Sequence, residues 1–137
     1  MAIHHGGCLC GAVRYQARGA LREVIYCHCG QCRRQTGLYY ATTEVAQIDL
    51  TVTGAALRWF ASSAFAQRGF CGTCGSALFW KPEGRAHIAI LAGSLDAPVG
   101  LVAAAHICTE GRPDFYPICD GLPQYPHSAP GVEIDGA

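Results

Sequence analysis

Residues 67–80 read QRGFCGTCGSALFW, in which two short runs of β-forming residues flank a Cys-x-x-Cys turn. Gly72 and Gly75 lie in this turn, and their lack of a side chain lets backbone amides approach the sulfurs of Cys71 and Cys74. The pattern predicts a β-hairpin whose tip directs two thiols toward one point. Two thiols do not complete a tetrahedral metal site, so a closed site here requires a second cysteine pair.

The second pair lies near the N-terminus, in the stretch GGCLCGAVRY. If this stretch is a strand, Cys8 and Cys10 project from the same face. Together with Cys71 and Cys74 they supply four thiolates, the usual ligands of a structural zinc; iron is the less common occupant of that geometry. Such an ion would close a loop of about sixty residues and couple metal binding to folding. The alternative is a set of small buried residues, or a disulfide of the Cys10–Cys71 type.

Three more cysteines lie within the stretch YCHCGQCRRQTG. Cys27, Cys29 and Cys32 can share a second zinc and leave its fourth coordination position open. Three thiolates make the zinc unit anionic and a modest Lewis acid, which favours an incoming thiol, bound as thiolate, over zinc-hydroxide hydrolysis. The alternatives are a second zinc without a catalytic role, or free thiols that form a disulfide on oxidation.

The residues around this trio carry weaker signals. Arg33 and Arg34 follow Cys32 directly and could attract the carboxylates of an anionic thiol; the alternative is a solvated surface pair. His28 would point to the opposite strand face from the cysteines beside it. We therefore expect His28 to pack or to form a hydrogen bond rather than to serve as the fourth ligand.

Three residues further along the chain remain without a role in the predicted sites. His106, in AAAHICT, is expected on a core or sheet face. Cys108 and Cys119 belong to neither cysteine group. No phosphate-binding glycine loop or dinucleotide fingerprint is present in the sequence.

Glycine and proline separate short β-like runs along the chain, and few segments have helical periodicity. The residues GQCRRQTG predict a turn followed by one or two helical turns that end at Gly37. The predicted strands are CLCGAVRYQA, LREVIYCHC, LYYATTEVAQ, IDLTVTG, ALRWFASS, the two arms of the 67–80 hairpin, HIAILAGSL, AAAHICTE and DFYPIC. The predicted fold class is all-β, with mainly antiparallel sheets and one short helix.

Length and composition set further limits. At 137 residues, half of them apolar, the chain is expected to form a single domain over 1–137, with its core at about 6–126 and a loop-like tail at 127–137. Zero formal charge argues against a nucleic-acid or membrane partner. No apolar run approaches the roughly 20 residues of a membrane span, and no signal-peptide pattern is present. We expect a cytoplasmic location, where thiols stay reduced; the sequence does not define the oligomeric state.

The blocks GGCLCGAVRY, CHCGQCRRQTG, FCGTCGSALF, AGSLDAPVGLVAAAHI and DGLPQYP occur in an order that resembles the glutathione-dependent formaldehyde-activating family, which includes centromere protein V-type domains. The similarity runs from about Gly6 to Pro126. It implies a zinc-containing β-tent fold of antiparallel sheets, and glutathione as co-substrate. It also implies one structural zinc and one labile or catalytic zinc, held respectively by Cys8, Cys10, Cys71 and Cys74 and by Cys27, Cys29 and Cys32.

The function expected from these observations is that of a zinc-dependent carbon–sulfur lyase or transferase acting on adducts of a small thiol. The resemblance implies that the thiol is glutathione, the aldehyde formaldehyde and the product S-hydroxymethylglutathione. In this hypothesis Cys27, Cys29 and Cys32 hold the catalytic zinc, and Arg33 or Arg34 orients the substrate. The alternative is a non-catalytic, zinc-stabilised β domain that binds glutathione or a protein partner.

Overall fold

A computed structural model describes residues 1–132 of the chain. This part contains ten strands, one α-helix and three single-turn 3₁₀ helices, so the predicted all-β class with one short helix is confirmed. The elements are β1 Ile3–Gly7, β2 Arg14–Arg18, β3 Val24–Cys27, α1 Gly30–Thr36, β4 Tyr40–Ala46, β5 Leu50–Thr53, β6 Leu57–Ala61, β7 Ala66–Cys71, β8 Ala77–Pro82, β9 His87–Leu91 and β10 Ala103–Ile107, with the 3₁₀ helices at Gln47–Asp49, Ala92–Ser94 and Thr109–Gly111.

The strands form two sheets. A small sheet has the order β1-β2-β5, and a seven-stranded sheet has the order β10-β3-β4-β9-β8-β7-β6. Every pairing is antiparallel except that of β10 with β3, which is parallel. The sheets are therefore mainly antiparallel, as the sequence predicts.

Each face of the large sheet carries a buried cluster, although its edge strand β6 is mostly exposed. On one face the small sheet covers the large one, and Tyr15 of β2 packs edge-on against Phe79 of β8 with ring centroids 5.4 Å apart. Along β9, Ile88 and Ile90 point into this core while Ala89 points to the other face. The second face carries a separate buried cluster that contains two of the predicted ligand cysteines.

The only α-helix of the described residues begins and ends where the sequence predicts. Cys29 is the N-cap residue, and its sulfur accepts a hydrogen bond from the N–H of Cys32 at 3.4 Å. Gly37 ends the helix in the left-handed conformation, with φ of 90°, and donates its N–H to the carbonyl of Arg33. Glycine adopts this conformation without a steric penalty, which explains the sharp end of the helix.

Two strand predictions are wrong. The run 8–12 is a turn rather than the start of a strand, and β2 begins only at Arg14, after a first strand that the sequence pattern did not reveal. The stretch DFYPIC at 114–119 forms no strand, because Pro113 precedes it and Pro117 interrupts it, and neither proline has a backbone N–H to donate. The predicted loop-like tail is irregular over 127–132, and its remainder, 133–137, lies outside the described residues.

No helix in the described part of the chain combines the length and the apolar character needed to span a membrane.

Candidate metal centres and the adjoining cavity

The structure brings the two cysteine pairs together. The sulfurs of Cys8, Cys10, Cys71 and Cys74, here called the four-cysteine cluster, all lie within 4.8 Å of one another. Cys10 Sγ is 3.6 Å from Cys8 Sγ and 3.8 Å from Cys71 Sγ. The β1–β2 turn therefore meets the β7–β8 turn across the gap between the two sheets. These sulfur separations are well beyond the roughly 2 Å of a disulfide bond.

Backbone donors surround the four-cysteine cluster. The N–H of Val13 donates to Cys8 Sγ at 3.2 Å, and the N–H of Cys74 donates to Cys71 Sγ at 3.4 Å. Hydrogen bonds from Ser76 lower the pKa of the Cys74 thiol to about 5. Donors aimed at sulfur stabilise thiolates, and four thiolates are the ligand set that a structural zinc prefers. The residues therefore fit such an ion.

The remaining predicted ligands form a second cluster, the cysteine trio of Cys27, Cys29 and Cys32. Their sulfurs also lie within 4.8 Å of one another, at the junction where β3 leads into α1. Cys29 and Cys32 are buried, and hydrogen bonds from Cys27 and Cys32 lower the pKa of Cys29. Three converging sulfurs, one of them biased toward thiolate, fit a zinc ion with a fourth position left for another ligand.

A cavity of about 40 Å³ adjoins the cysteine trio on the inner face of the large sheet. Trp80, Ile107 and Ala89 contribute apolar wall, and Ala89 leaves space because its side chain is small. Arg22 and Glu44 bring charge into the same cavity. A small, partly open space beside thiol groups, lined by apolar and charged side chains, suits a small polar reactant.

Arg68 of β7 is the charged residue in closest contact with the trio. It is 3% exposed, and its Nη1 lies 3.6 Å from Cys32 Sγ. Its Nη2 donates to Gln31 Oε1 at 3.1 Å, and its guanidinium lies 4.7 Å from the centroid of the Tyr40 ring. Burial lowers the pKa of Arg68, but the Cys32 sulfur and Tyr40 raise it by a larger amount. The net pKa is raised, so the group stays cationic.

Arg22, which is half-buried, supplies a second cation to the cavity. Its Nη2 donates to the carbonyl and the hydroxyl of Thr42, each at 3.1 Å. Its Nε is buried and has no hydrogen-bond partner among the described residues. Burial lowers the pKa of Arg22, although Glu44 opposes this shift. A buried donor without a protein acceptor is costly, which fits a site completed by an oxygen-bearing ligand.

Sequence reasoning missed both cavity arginines. Arg68 follows Ala66 and Gln67 in a strand that reads as an ordinary hairpin arm, and Arg22 lies in a short loop before β3. One signal for Arg68 is strand alternation. Arg68 shares a strand face with the apolar Ala66, and both are buried, while Gln67 between them is exposed. Arg68 is 36 positions from Cys32, so no local spacing links it to the trio, whereas Arg22 lies shortly before Cys27 but in no recognisable motif with it.

The predicted substrate-binding arginines lie elsewhere. Arg33 and Arg34 occupy the last turn of α1, and neither lines the cavity beside the trio. Arg34 is exposed and lines an open groove of about 520 Å³, which runs between α1 and the strands β6 and β7. Arg68 lines this groove as well as the cavity, so it separates the two spaces.

The histidine and spare cysteines take the following positions. His28 is fully buried, lies outside the cysteine trio and hydrogen-bonds to His106, as its expected strand face predicts. Burial is the main cause that lowers the pKa of His28 to about 4. Cys108 is buried and its thiol hydrogen-bonds to that of Cys27, which raises the pKa of Cys27. Cys119 is exposed.

Comparison with known proteins identifies the family. Residues 3–111 match the family model described as glutathione-dependent formaldehyde-activating enzyme, and the chain belongs to this family. The chain is 27% identical over 117 residues to a protein of Schizosaccharomyces pombe named an uncharacterized lyase, with 85% of each chain covered. It is also similar to a crystal structure of a Rhodobacter sphaeroides protein, at 28% identity and a TM-score of 0.57, covering 72% of this chain and 97% of that one. Together these relationships support a lyase-type enzyme with a glutathione-related role.

Proposed function

We propose that this protein is a zinc-dependent carbon–sulfur lyase or transferase that joins a small thiol to an aldehyde and reverses the reaction. The thiol is glutathione, the aldehyde formaldehyde and the product S-hydroxymethylglutathione. Cys27, Cys29 and Cys32 hold the catalytic or labile zinc, and the four-cysteine cluster holds the structural zinc. The observation that carries the proposal is a set of three sulfurs, rather than four, at the wall of a cavity lined by the buried Arg68 and the half-buried Arg22.

The reaction balances without any redox partner. A zinc bound at the trio would supply positive charge that favours the thiolate form of an arriving thiol. The substrate sulfur, having lost its proton, attacks the aldehyde carbon, so that a carbon–sulfur bond forms as the carbonyl double bond opens. The oxygen then takes up a proton, which gives RSCH₂OH from RSH and HCHO. In the reverse direction the hydroxyl loses its proton and the carbon–sulfur bond breaks.

The chain's own residues support this charge movement. Negative charge passes from sulfur to oxygen as the new bond forms, and Arg68 lies beside the trio as a fixed, desolvated cation. The unpartnered Nε of Arg22 offers a donor for the developing oxygen anion. Because both groups are already in place, little reorganisation is required during the reaction.

The cavity and the groove differ in size, and each suits a different part of the substrate. A cavity of about 40 Å³ accommodates a one-carbon aldehyde, but a tripeptide thiol is far larger. The open groove of about 520 Å³ beside α1 supports binding of the peptide part, with Arg34 at its wall. In this arrangement Arg34, rather than Arg33, attracts a substrate carboxylate.

The proposal extends to the organisation and location of the chain. One core cluster contains residues of both sheets, which supports a single zinc-binding domain over 1–137 with its core at about 6–126. Free thiolates persist in a reducing compartment, so the enzyme would work in the cytoplasm.

Measurement of turnover tests the proposal. Exchange between free formaldehyde and S-hydroxymethylglutathione is followed by NMR, with and without the reduced, zinc-loaded protein. We expect catalysed exchange, and we expect Cys32→Ser to abolish it while Cys119→Ser leaves it unchanged. Glutathione binding without any acceleration of exchange would instead establish the alternative, a non-catalytic binding module.

A further inference from the structure

Three side chains form a hydrogen-bonded chain from the surface to the strand–helix junction that carries the cysteine trio. Asp120 Oδ2 lies 2.7 Å from His106 Nε2, and His106 Nδ1 lies 2.8 Å from His28 Nε2. Both imidazoles are fully buried, whereas the Asp120 side chain is 40% exposed. The two rings are stacked, with centroids 5.0 Å apart.

The chemistry of the three groups defines the direction of donation. A carboxylate only accepts, so His106 Nε2 donates to Asp120. The other nitrogen of a neutral His106 then accepts, and this places a proton on His28 Nε2. One direction of donation therefore runs from His28 through His106 to Asp120, and it defines the orientation of both buried rings.

His28 connects this chain to the predicted metal ligands. In sequence it lies between Cys27 and Cys29, but its side chain is on the sheet face opposite to the buried cluster that contains them. Side chains alternate along a strand, and Tyr26, two residues earlier, also lies on this opposite face, where its ring centroid is 4.9 Å from that of His106. The backbone N–H of His28 also donates to the carbonyl of Ile107 at 3.0 Å. The peptide units that carry two trio cysteines are thus held both by the ring and by the backbone.

The need to fill space behind the trio does not by itself explain why His28 and His106 are histidines. Two buried imidazoles lose their hydration, and apolar side chains of similar volume would fill the same space without that loss. These hydrogen bonds moreover link three separate sequence blocks, CHCGQC, AAAHI and DGLPQYP. Among the described residues, no other side-chain hydrogen bond connects these blocks. Orientation of the ligand segment is the role that uses all three.

We propose that Asp120 and His106 are positioning residues, which act through His28 to keep Cys27 and Cys29 at the spacing that a metal ion at the trio requires. This inference rests on the proposed function, because it assumes a metal at that site. Outer partners that orient a metal site typically change metal affinity by about 10- to 100-fold when they are removed. We expect about tenfold here, since the contact passes through two rings.

Chelator competition tests the inference. Zinc-loaded, reduced protein is titrated with a chromophoric zinc chelator, and the emptied labile site is then refilled with Co²⁺, whose thiolate-to-cobalt bands report sulfur geometry. We expect Asp120→Ala to release the labile zinc at about tenfold lower chelator concentration and to shift the cobalt bands. Asp120→Glu, which keeps the carboxylate, is expected to restore part of the affinity. The second zinc, held by the four-cysteine cluster, should be unaffected.

A matched control lies near the same loop. Glu110 Oε2 is 3.2 Å from His127 Nδ1, a carboxylate–imidazole pair that is exposed and does not touch the trio. Glu110→Ala should therefore behave as wild type. His106→Gln removes the buried link itself, and Asp120→Ala remains informative if that variant does not fold, because Asp120 is on the surface.

The outcomes separate the two proposals. If wild type releases one zinc and Asp120→Ala releases it at the same chelator concentration with the same cobalt spectrum, the positioning role is overturned and the proposed function stands. Equal weakening of both zinc sites also overturns it, since the effect would then be general instability. A wild-type protein that holds only one zinc overturns the proposed function and this inference together.

Discussion

The guanidinium of Arg68 lies 3.6 Å from the sulfur of Cys32, although one residue belongs to β7 and the other to α1. Gln31 and Gln35 of the same helix hold the guanidinium in place, at 3.1 and 3.3 Å. A buried, permanent cation thus faces the sulfur cluster at the point where the cavity meets the outer groove. Both the electrostatics of the trio and access to it depend on this one side chain.

Removal of this charge should slow the reaction more than it weakens binding. We expect Arg68→Gln to lower kcat about 100-fold with little change in KM, because loss of one preorganised charge partner commonly costs that much. Steady-state kinetics of S-hydroxymethylglutathione formation measure both constants. Arg58→Gln is the matched control, since Arg58 of the neighbouring strand β6 is exposed and bonds only to backbone carbonyls of Ala55 and Leu57 in the described structure. A large rise in KM with unchanged kcat would contradict the role given to Arg68.

Loss of a trio sulfur should remove the labile metal and leave the fold intact. We expect Cys32→Ser to bind one zinc per chain, against two for wild type, and to lose activity. Its thermal midpoint should fall by only a few degrees, because the four-cysteine cluster remains. Metal analysis and thermal unfolding check these points, with the exposed Cys119→Ser as control. Two zincs and full activity in Cys32→Ser would exclude the trio as the catalytic site.

Loss of a sulfur from the other cluster should act on stability instead. Cys10 and Cys71 lie 61 positions apart, and a metal ion held between them would close that loop. We expect Cys71→Ser to lower the free energy of unfolding by roughly 4 kcal/mol, the scale of loop-closure entropy for a cross-link of this length. Urea denaturation followed by circular dichroism measures the change, and Cys119→Ser again serves as control. A loss below about 1 kcal/mol would show that the cluster carries no structural ion.

The two adjacent arginines of α1 provide an internal comparison for substrate binding. Arg34 lines the open groove and Arg33 does not. We expect Arg34→Ala to raise KM for glutathione about fivefold with kcat unchanged, as an exposed ion pair contributes up to roughly 1 kcal/mol. Arg33→Ala should leave both constants unchanged. The groove is not the glutathione site if the two variants behave alike, or if raised salt fails to weaken the Arg34 effect.

Most of what the sequence predicts correctly is local in the chain. Residue spacing within a single element predicts the β-hairpin at 67–80, the helix that ends at Gly37 and the placement of His28 on the strand face opposite to its neighbouring cysteines. The turn at 8–12 was predicted as a strand, because alternation of side chains is equally compatible with a short turn between two strands. Local pattern therefore identified the sulfur-bearing segments but not the conformation of each.

The sequence by itself determined three short cysteine spacings, each of which keeps its own sulfurs close, while the tertiary structure joined the pairs 8/10 and 71/74 into one cluster. Only the tertiary structure decided which charges accompany them. Arg68 meets Cys32 because β7 lies against α1. Asp120 reaches His28 through His106 because β10 pairs with β3 and the segment after β10 returns along the other edge of β10. Such contacts depend on the order of strands in the sheet, and no spacing along the chain encodes that order.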